Sequence, residues 1–365
     1  MRERDLVQRS FLKPAAGLVC LVALACTGCS SGGDDTSDAA PAQTPQSSQS
    51  SHSSQSSQSS QSSAAPSTTE SSSTTSYAPY VSATTASDTD STGSPTTYNL
   101  AFVISDGSDC TPKWNGTYAV GNSAVKSRIS ALKESGASVR VAFGGASGKE
   151  LASTCDSASG LAAAYGAALD AAGSTQADFD IEGDELTDSD SVALRSKAIA
   201  LLQKERTDLK VSFTLPVMPS GLDDDSLALL ESANDHAVKV STVNIMTMNY
   251  GSSYAGDMGD YAETSAEAAH DQLADVFGLS SAGAWQGLAL TSMIGVNDVD
   301  NETFTLADAA QVRTFAEEKQ IAWVSMWSTF RDQQCEDDDS ASDDAATNCS
   351  GVTQSSGAFA EALAG

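Results

Sequence analysis

From Ser76 onward the chain alternates two kinds of apolar periodicity. Short runs in which apolar positions alternate with polar ones, or follow one another, predict strands at Tyr77–Val81, Tyr98–Ser105, Ser138–Phe143, Ala177–Glu182, Lys210–Leu215, Val243–Tyr250, Leu288–Ile294 and Ala322–Ser328. Between them apolar residues recur at helical spacing, as in Val125, Ile129 and Leu132; Val192, Ile199 and Leu202; Ala266, Ala269, Leu273 and Phe277; and Leu306, Val312 and Phe315. Gly136 closes the first of these helices, and Thr305 with Asp308 opens the last as a capping box. Only the link from the first strand to the second lacks a helical pattern. Eight strands of parallel type with intervening helices predict an α/β fold, a (β/α)8 TIM barrel spanning residues 76–365. A doubly wound open sheet is the alternative; it would usually place a Gly-rich nucleotide loop after its first strand, where this sequence has none.

Residues before Ser76 follow neither period. Residues 30–75 are a low-complexity linker with a Ser-Ser-Gln repeat between Gln46 and Ser63. So few apolar groups cannot offset the entropy of ordering, which predicts a disordered tether whose ends sit roughly 35–40 Å apart. His52 lies inside it and is incidental. Residues 1–29 carry Arg2, Arg4, Arg9 and Lys13 ahead of an apolar run from Pro14 to Ala25. That run is too short to span a bilayer and reads as the core of a signal peptide. Cys29, after Cys26-Thr27-Gly28, resembles a bacterial lipidation site, with Cys26 a second candidate. The expectation is an extracellular, cell-surface lipoprotein touching the membrane through its N-terminal lipid alone, with ordinary release the alternative.

Four of the seven cysteines, Cys110, Cys155, Cys335 and Cys349, lie beyond the signal region. An even set suits two disulfides in an oxidising compartment, and counting leaves three connectivities open. These four show no C-x-x-C spacing and there are three histidines, so neither a metal nor a cofactor is expected. Net charge is −29, from 48 acidic against 19 basic residues, which excludes a phosphate-backbone partner and suits a neutral substrate. Acidic runs at Asp223–Asp225 and Glu336–Asp339 read as solvated loops. His270 reads as helix surface, and neither it nor His236 follows a strand, which disfavours a Ser-His-Asp hydrolase.

Candidate chemistry sits on the fourth strand, Ala177-Asp178-Phe179-Asp180-Ile181-Glu182. Period two sends Asp178, Asp180 and Glu182 one way and Ala177, Phe179 and Ile181 the other, toward covering helices. Three carboxyls directed into a barrel cannot all ionise cheaply, so they should titrate as a coupled set. The outermost, Glu182, is then raised toward the range of a general acid.

This stretch resembles the D-x-x-D-x-D-x-E signature of glycoside hydrolase family 18, the chitinases and their relatives. Tyr77–Val81, Leu100–Val103, Cys110–Trp114, Phe143–Gly148, Met246–Gly251, Met293–Asp298 and Met326–Asp332 resemble segments of a bacterial chitinase D-like branch. The resemblance implies a retaining, substrate-assisted glycosidase acting on β-1,4-linked N-acetylglucosamine, with chitin or chitooligosaccharide as partner and a monomeric chain. Glu182 would be acid and then base, Asp180 would orient the substrate's acetamido N–H, and Asp178 would hold the proton of Asp180. Tyr250 would hydrogen-bond the acetamido oxygen and Trp327 would floor the site, with Trp114, Met248, Asn249 and Met293 as further substrate contacts. It also implies the pairings Cys110–Cys155 and Cys335–Cys349. Two positions depart from the pattern: Thr175 replaces the signature's first Asp, expected deepest in the barrel, and Asn249 stands where relatives often carry an acid. An endo-β-N-acetylglucosaminidase acting on N-glycans, and a non-catalytic chitooligosaccharide-binding lipoprotein, are the alternatives.

Overall fold

The computed structural model describes residues 75–336 and 348–365. The expected signal segment with Cys26 and Cys29, the expected linker through residue 74 with His52, and Asp337–Asp339 lie outside the described residues. Strand β1 comes in two pieces, Ser76–Tyr77 and Tyr80–Ser82, followed by β2 (Thr97–Ser105), β3 (Ser138–Gly144), β4 (Gln176–Asp180), β5 (Lys210–Pro216), β6 (Val240–Met246), β7 (Leu288–Met293) and β8 (Trp323–Trp327). Neighbours in sequence pair in parallel all the way round. The first piece of β1 pairs with β8, Ser76 opposite Trp323, and the second with β2, Tyr80 opposite Asn99. The sheet therefore closes, and the expected (β/α)8 barrel is the observed fold.

Helices Ser123–Leu132, Ala158–Ala172, Ser189–Glu205, Asp224–Asp235, Met258–Phe277 and Leu306–Lys319 cover the outside, and Ala358–Ala364 packs after β8. Between β1 and β2 the chain makes turns without a helix, as the sequence pattern implied. Thr305 and Asp308 form the capping box, and Gly136 turns the chain at φ 87° after the first helix. The run Asp223–Asp225 is not a free loop: Asp223 caps the helix Asp224–Asp235 by accepting from the Ser226 amide at 2.8 Å, and two acids in the first turn favour the positive helix end. His270 is buried rather than on the helix surface, stacked on Trp285 with centroids 4.2 Å apart and bonded through Nε2 to Ser281. Its helix needs a second small helix, Ser281–Gln286, to pack against, and the apolar pattern did not signal that.

The hydrophobic core lies between sheet and helices. Ala177, Phe179 and Ile181 are fully buried there, and Phe179 stacks on Phe143 at 5.3 Å and meets Tyr165 edge-on at 4.9 Å. The barrel interior is polar by contrast, lined with buried Asn99, Arg140, Ser212, Thr214, Asn244, Thr291 and Ser325. Burying so many polar groups is tolerable only when they satisfy one another. Several do so as a relay, Ser325 Oγ staying without a partner: Thr291 Oγ1 donates to Asn244 Oδ1, Asn244 Nδ2 donates to Thr214 Oγ1, and Thr214 donates to Asp178 Oδ2, each at 2.8–2.9 Å.

Strand β6 ends at Met246, four residues before the expected Tyr250. The pattern stays alternating to Tyr250, but Asn249 at φ 55° and Gly251 at φ 115° turn the backbone out of the sheet. Both expected disulfides are present. Cys110–Cys155 ties the segment after β2 to the one after β3, and Cys335–Cys349 joins two cysteines 14 positions apart past β8.

Candidate active site

At the C-terminal end of the barrel a cavity of about 390 Å³ opens over β4, the face where barrels of this kind place their chemistry. Asp180 and Glu182 line it with Tyr80, Phe102, Thr214, Met218, Met246, Met248, Asn249, Met293, Asp298 and Trp327. Of the residues singled out in the sequence, Asp180, Glu182, Trp327, Met248, Asn249 and Met293 come together there, with Asp178 one layer beneath.

Asp178 is 1% exposed and accepts three hydroxyls: Ser212 on Oδ1 at 2.5 Å, and Thr214 and Tyr80 on Oδ2 at 2.8 and 2.9 Å. An acceptor surrounded by donors is suited to the ionised form. Burial leaves its carboxyl raised, although Ser212, the charge of Arg140, Thr214 and Tyr80 pull it back. Asp180 has no such donors. Burial pushes it well above the carboxylate range, and the charges of Glu182 and Asp178 add to that. A hydrogen bond joins Asp180 to Glu182, so the two carboxyls titrate together. Burial still leaves Glu182 raised. Hydroxyls occupy both oxygens of Asp178, and the hydrogen bond of Asp180 runs to Glu182. The Oδ1 of Asp180 is buried without a hydrogen-bond partner.

The apolar floor is wider than Trp327 alone. Trp327 stacks on Phe102 with centroids 5.5 Å apart and meets Tyr80 edge-on at 5.8 Å. Met218, Met246, Met248 and Met293 supply soft, adaptable walls. Asn249 tolerates its left-handed backbone as few other residues would, and its Oδ1 accepts the Asp298 amide at 3.2 Å. Buried Glu302 fixes that turn by accepting the Gly251 amide at 2.7 Å, with further bonds from the Tyr250 and Asn249 amides.

Two expected contacts are elsewhere. Tyr250 follows the turn at Asn249 and faces the helices, where it packs against Tyr254 and Tyr261, and its hydroxyl accepts from Ser265 at 3.4 Å. Burial pushes that phenol up. Trp114 is fully buried on the short hairpin Pro112–Trp114/Tyr118–Ala119, its Nε1 donating to the Val120 carbonyl at 3.4 Å. Thr175 is not deep in the barrel either; it is exposed just ahead of β4, and its carbonyl accepts the Lys210 amide. Sequence reasoning missed Tyr80, Phe102, Thr214 and Glu302. Only Tyr80 and Phe102 carried a signal, as aromatics within predicted strands that resemble the family's segments.

A closed barrel with a carboxylate file at the end of β4 and an aromatic floor is the arrangement expected of a glycosidase. No family model matches the chain. It is 33% identical over 249 residues to the "Probable bifunctional chitinase/lysozyme" of Escherichia coli (strain K12) and 32% identical over 248 residues to endochitinase 11 of Metarhizium anisopliae, in each case over 64% of this chain. The matched regions make up 28% and 47% of those two proteins. Its fold superposes on the catalytic domain of the hyperthermophilic chitinase from Pyrococcus furiosus with a TM-score of 0.69 at 29% identity, over 79% of this chain and 93% of that one. These likenesses are to chitinases, and they agree with the resemblance of the β4 stretch to the glycoside hydrolase family 18 signature.

Proposed function

We propose that the domain is a chitinase that cleaves β-1,4-linked N-acetylglucosamine polymers or oligomers with retention, using the substrate's own acetamido group as nucleophile. The observation that carries this reading is the Asp180–Glu182 pair: two hydrogen-bonded buried carboxyls, and a buried oxygen on Asp180 with no partner beside the apolar cavity. An acetamido N–H placed on that oxygen satisfies it and favours ionised Asp180. The proton then belongs on Glu182, next to the glycosidic oxygen, so binding arms the acid. Glu182 protonates the leaving oxygen as the acetamido oxygen attacks the anomeric carbon, giving an oxazolinium ion. Asp180 and Asp178 stabilise its positive charge, and Glu182, now a base, takes a proton from the water that reopens the ring.

The relatives support this choice of substrate. Both curated relatives are named as chitinases, and the active domain of the Pyrococcus furiosus enzyme has been crystallised with chito-oligosaccharides. Trp327 and Phe102 suit a sugar face, and Met246, Met248 and Met293 suit an acetyl methyl. Replacing Glu182→Gln should abolish turnover of chito-oligosaccharides while leaving melting temperature and oligosaccharide binding intact; undiminished turnover would remove the mechanism. The chain's placement belongs to the same proposal. It is exported, monomeric and tethered through lipid on Cys29, so Cys29→Ser should release active enzyme from the membrane fraction.

A further inference from the structure

Arg140 is a buried guanidinium inside the barrel that no carboxylate contacts among the described residues. Its Nη1 donates to Asn99 Oδ1 at 2.7 Å and its Nη2 to Gln176 Oε1 at 3.3 Å, and its carbon lies 3.9 Å from the centroid of Trp323. These partners hold the group and leave its charge uncompensated. Register fixes where that charge sits. Ala142 on β3 is opposite Asp178 on β4, so Arg140, two residues earlier and on the same face, lies beside Gln176 in the layer beneath Asp178.

We propose that Arg140 is a positioning residue for the catalytic proton: its fixed charge, held one layer below, keeps Asp178 ionised, so the exchangeable proton stays on the Asp180–Glu182 pair. Burying a cation this way is unfavourable unless something in the interior answers it. The structure offers one answer, because the relay from β7 through β6 and β5 also aims its donors at Asp178. The charge of Arg140 pulls Asp178 down and that of Asp178 holds Arg140 up, against burial that acts the other way on each.

Few other titratable groups face Asp178. Tyr80 donates to it from β1, and Asp180 and Glu182 follow on its own strand. The side chains turned toward it from β5, β6 and β7 are Ser212 and Thr214, Asn244, and Thr291, none of which titrates. Lys210, at the foot of β5, lines the far mouth of the barrel but is exposed. Gln176 contributes to the arrangement by presenting a neutral oxygen to the guanidinium where a carboxylate would cancel it.

The inference rests on the proposed chitinase reading for its kinetic readout, so the test carries a second one. In Arg140→Met both limbs of the kcat/KM–pH profile on chito-oligosaccharide should move to higher pH by about one unit. Arg140→Lys should return them to the wild-type position, a rescue that a packing role alone would not give. Gln176→Glu, near-isosteric and able to pair with Arg140, should shift the limbs the same way and keeps the test open where Arg140→Met does not fold. Carboxyl 13C NMR titration of the same proteins should show the Asp178 resonance titrating higher in both charge-altering variants. Profiles and titrations of the variants that overlay on wild type would overturn the inference. Inactive wild-type enzyme with displaced carboxyl titrations would instead overturn the chitinase reading alone.

Discussion

Replacing Asp180→Asn should make the protein more stable as it makes it less active, and the gain should grow with pH. In the native fold burial and two neighbouring carboxyls push Asp180 far up. Such a group keeps a proton that the unfolded chain releases. Stability is therefore fully present below the ordinary carboxylate range and falls as pH rises above it, until the folded group itself ionises. The loss is about 1.4 kcal/mol per pH unit for one carboxyl. Asparagine has the same shape, can still donate toward Glu182 and does not titrate, so the variant escapes that loss. For a domain of this size 1 kcal/mol moves Tm by about 2–4 °C. Tm of Asp180→Asn minus Tm of wild type should thus be near zero at pH 3.5 and rise by about 3–5 °C per pH unit above pH 4, until wild-type Asp180 ionises. Thermal melts in matched-ionic-strength buffers measure this directly. A difference that is flat with pH, or that falls, would refute the account of Asp180 as a buried acid holding the shared proton.

Two further substitutions separate cavity residues from bystanders. Tyr250→Phe should leave kcat/KM on chito-oligosaccharide within about fivefold of wild type, since losing one buried hydrogen bond at 3.4 Å is worth at most ~1 kcal/mol; a drop of a hundredfold would return Tyr250 to the substrate. Trp327→Ala should lower kcat/KM by about thirtyfold or more, the ~2 kcal/mol of a central aromatic anchor, with no pH-profile displacement. Steady-state kinetics across pH reads both.

Much of this site was legible before the structure, for a definite physical reason. Period two in a strand with one greasy face leaves a single choice for Asp178, Asp180 and Glu182, and the fully buried Ala177, Phe179 and Ile181 confirm it. The same period misled at β6. Met246, Met248 and Tyr250 fall on one alternation, yet pairing stops at Met246 and the turn is written only in the backbone of Asn249 and Gly251, which neighbouring residues impose. Trp114 could not be placed because an aromatic beside a loop reads alike whether it packs under the loop or stacks on a ligand. Glu302 acts through backbone amides far away in sequence, so no local pattern marks it. Arg140 did carry a signal, a lone charge between Val139 and Val141 in a core strand. Its meaning depended on which layer of the barrel it entered, and register across β3 and β4 decides that.

The central claim is that the sugar's acetamido group, held by Asp180 and served by Glu182, does what a protein nucleophile does in other retaining glycosidases. The most direct measurement pairs fully acetylated and fully deacetylated oligosaccharides of equal length, with 1H NMR of the first-formed reducing end. The account predicts cleavage of the acetylated substrate alone, with the β anomer appearing first. Efficient cleavage of the deacetylated oligomer, or an initial α anomer, would contradict it.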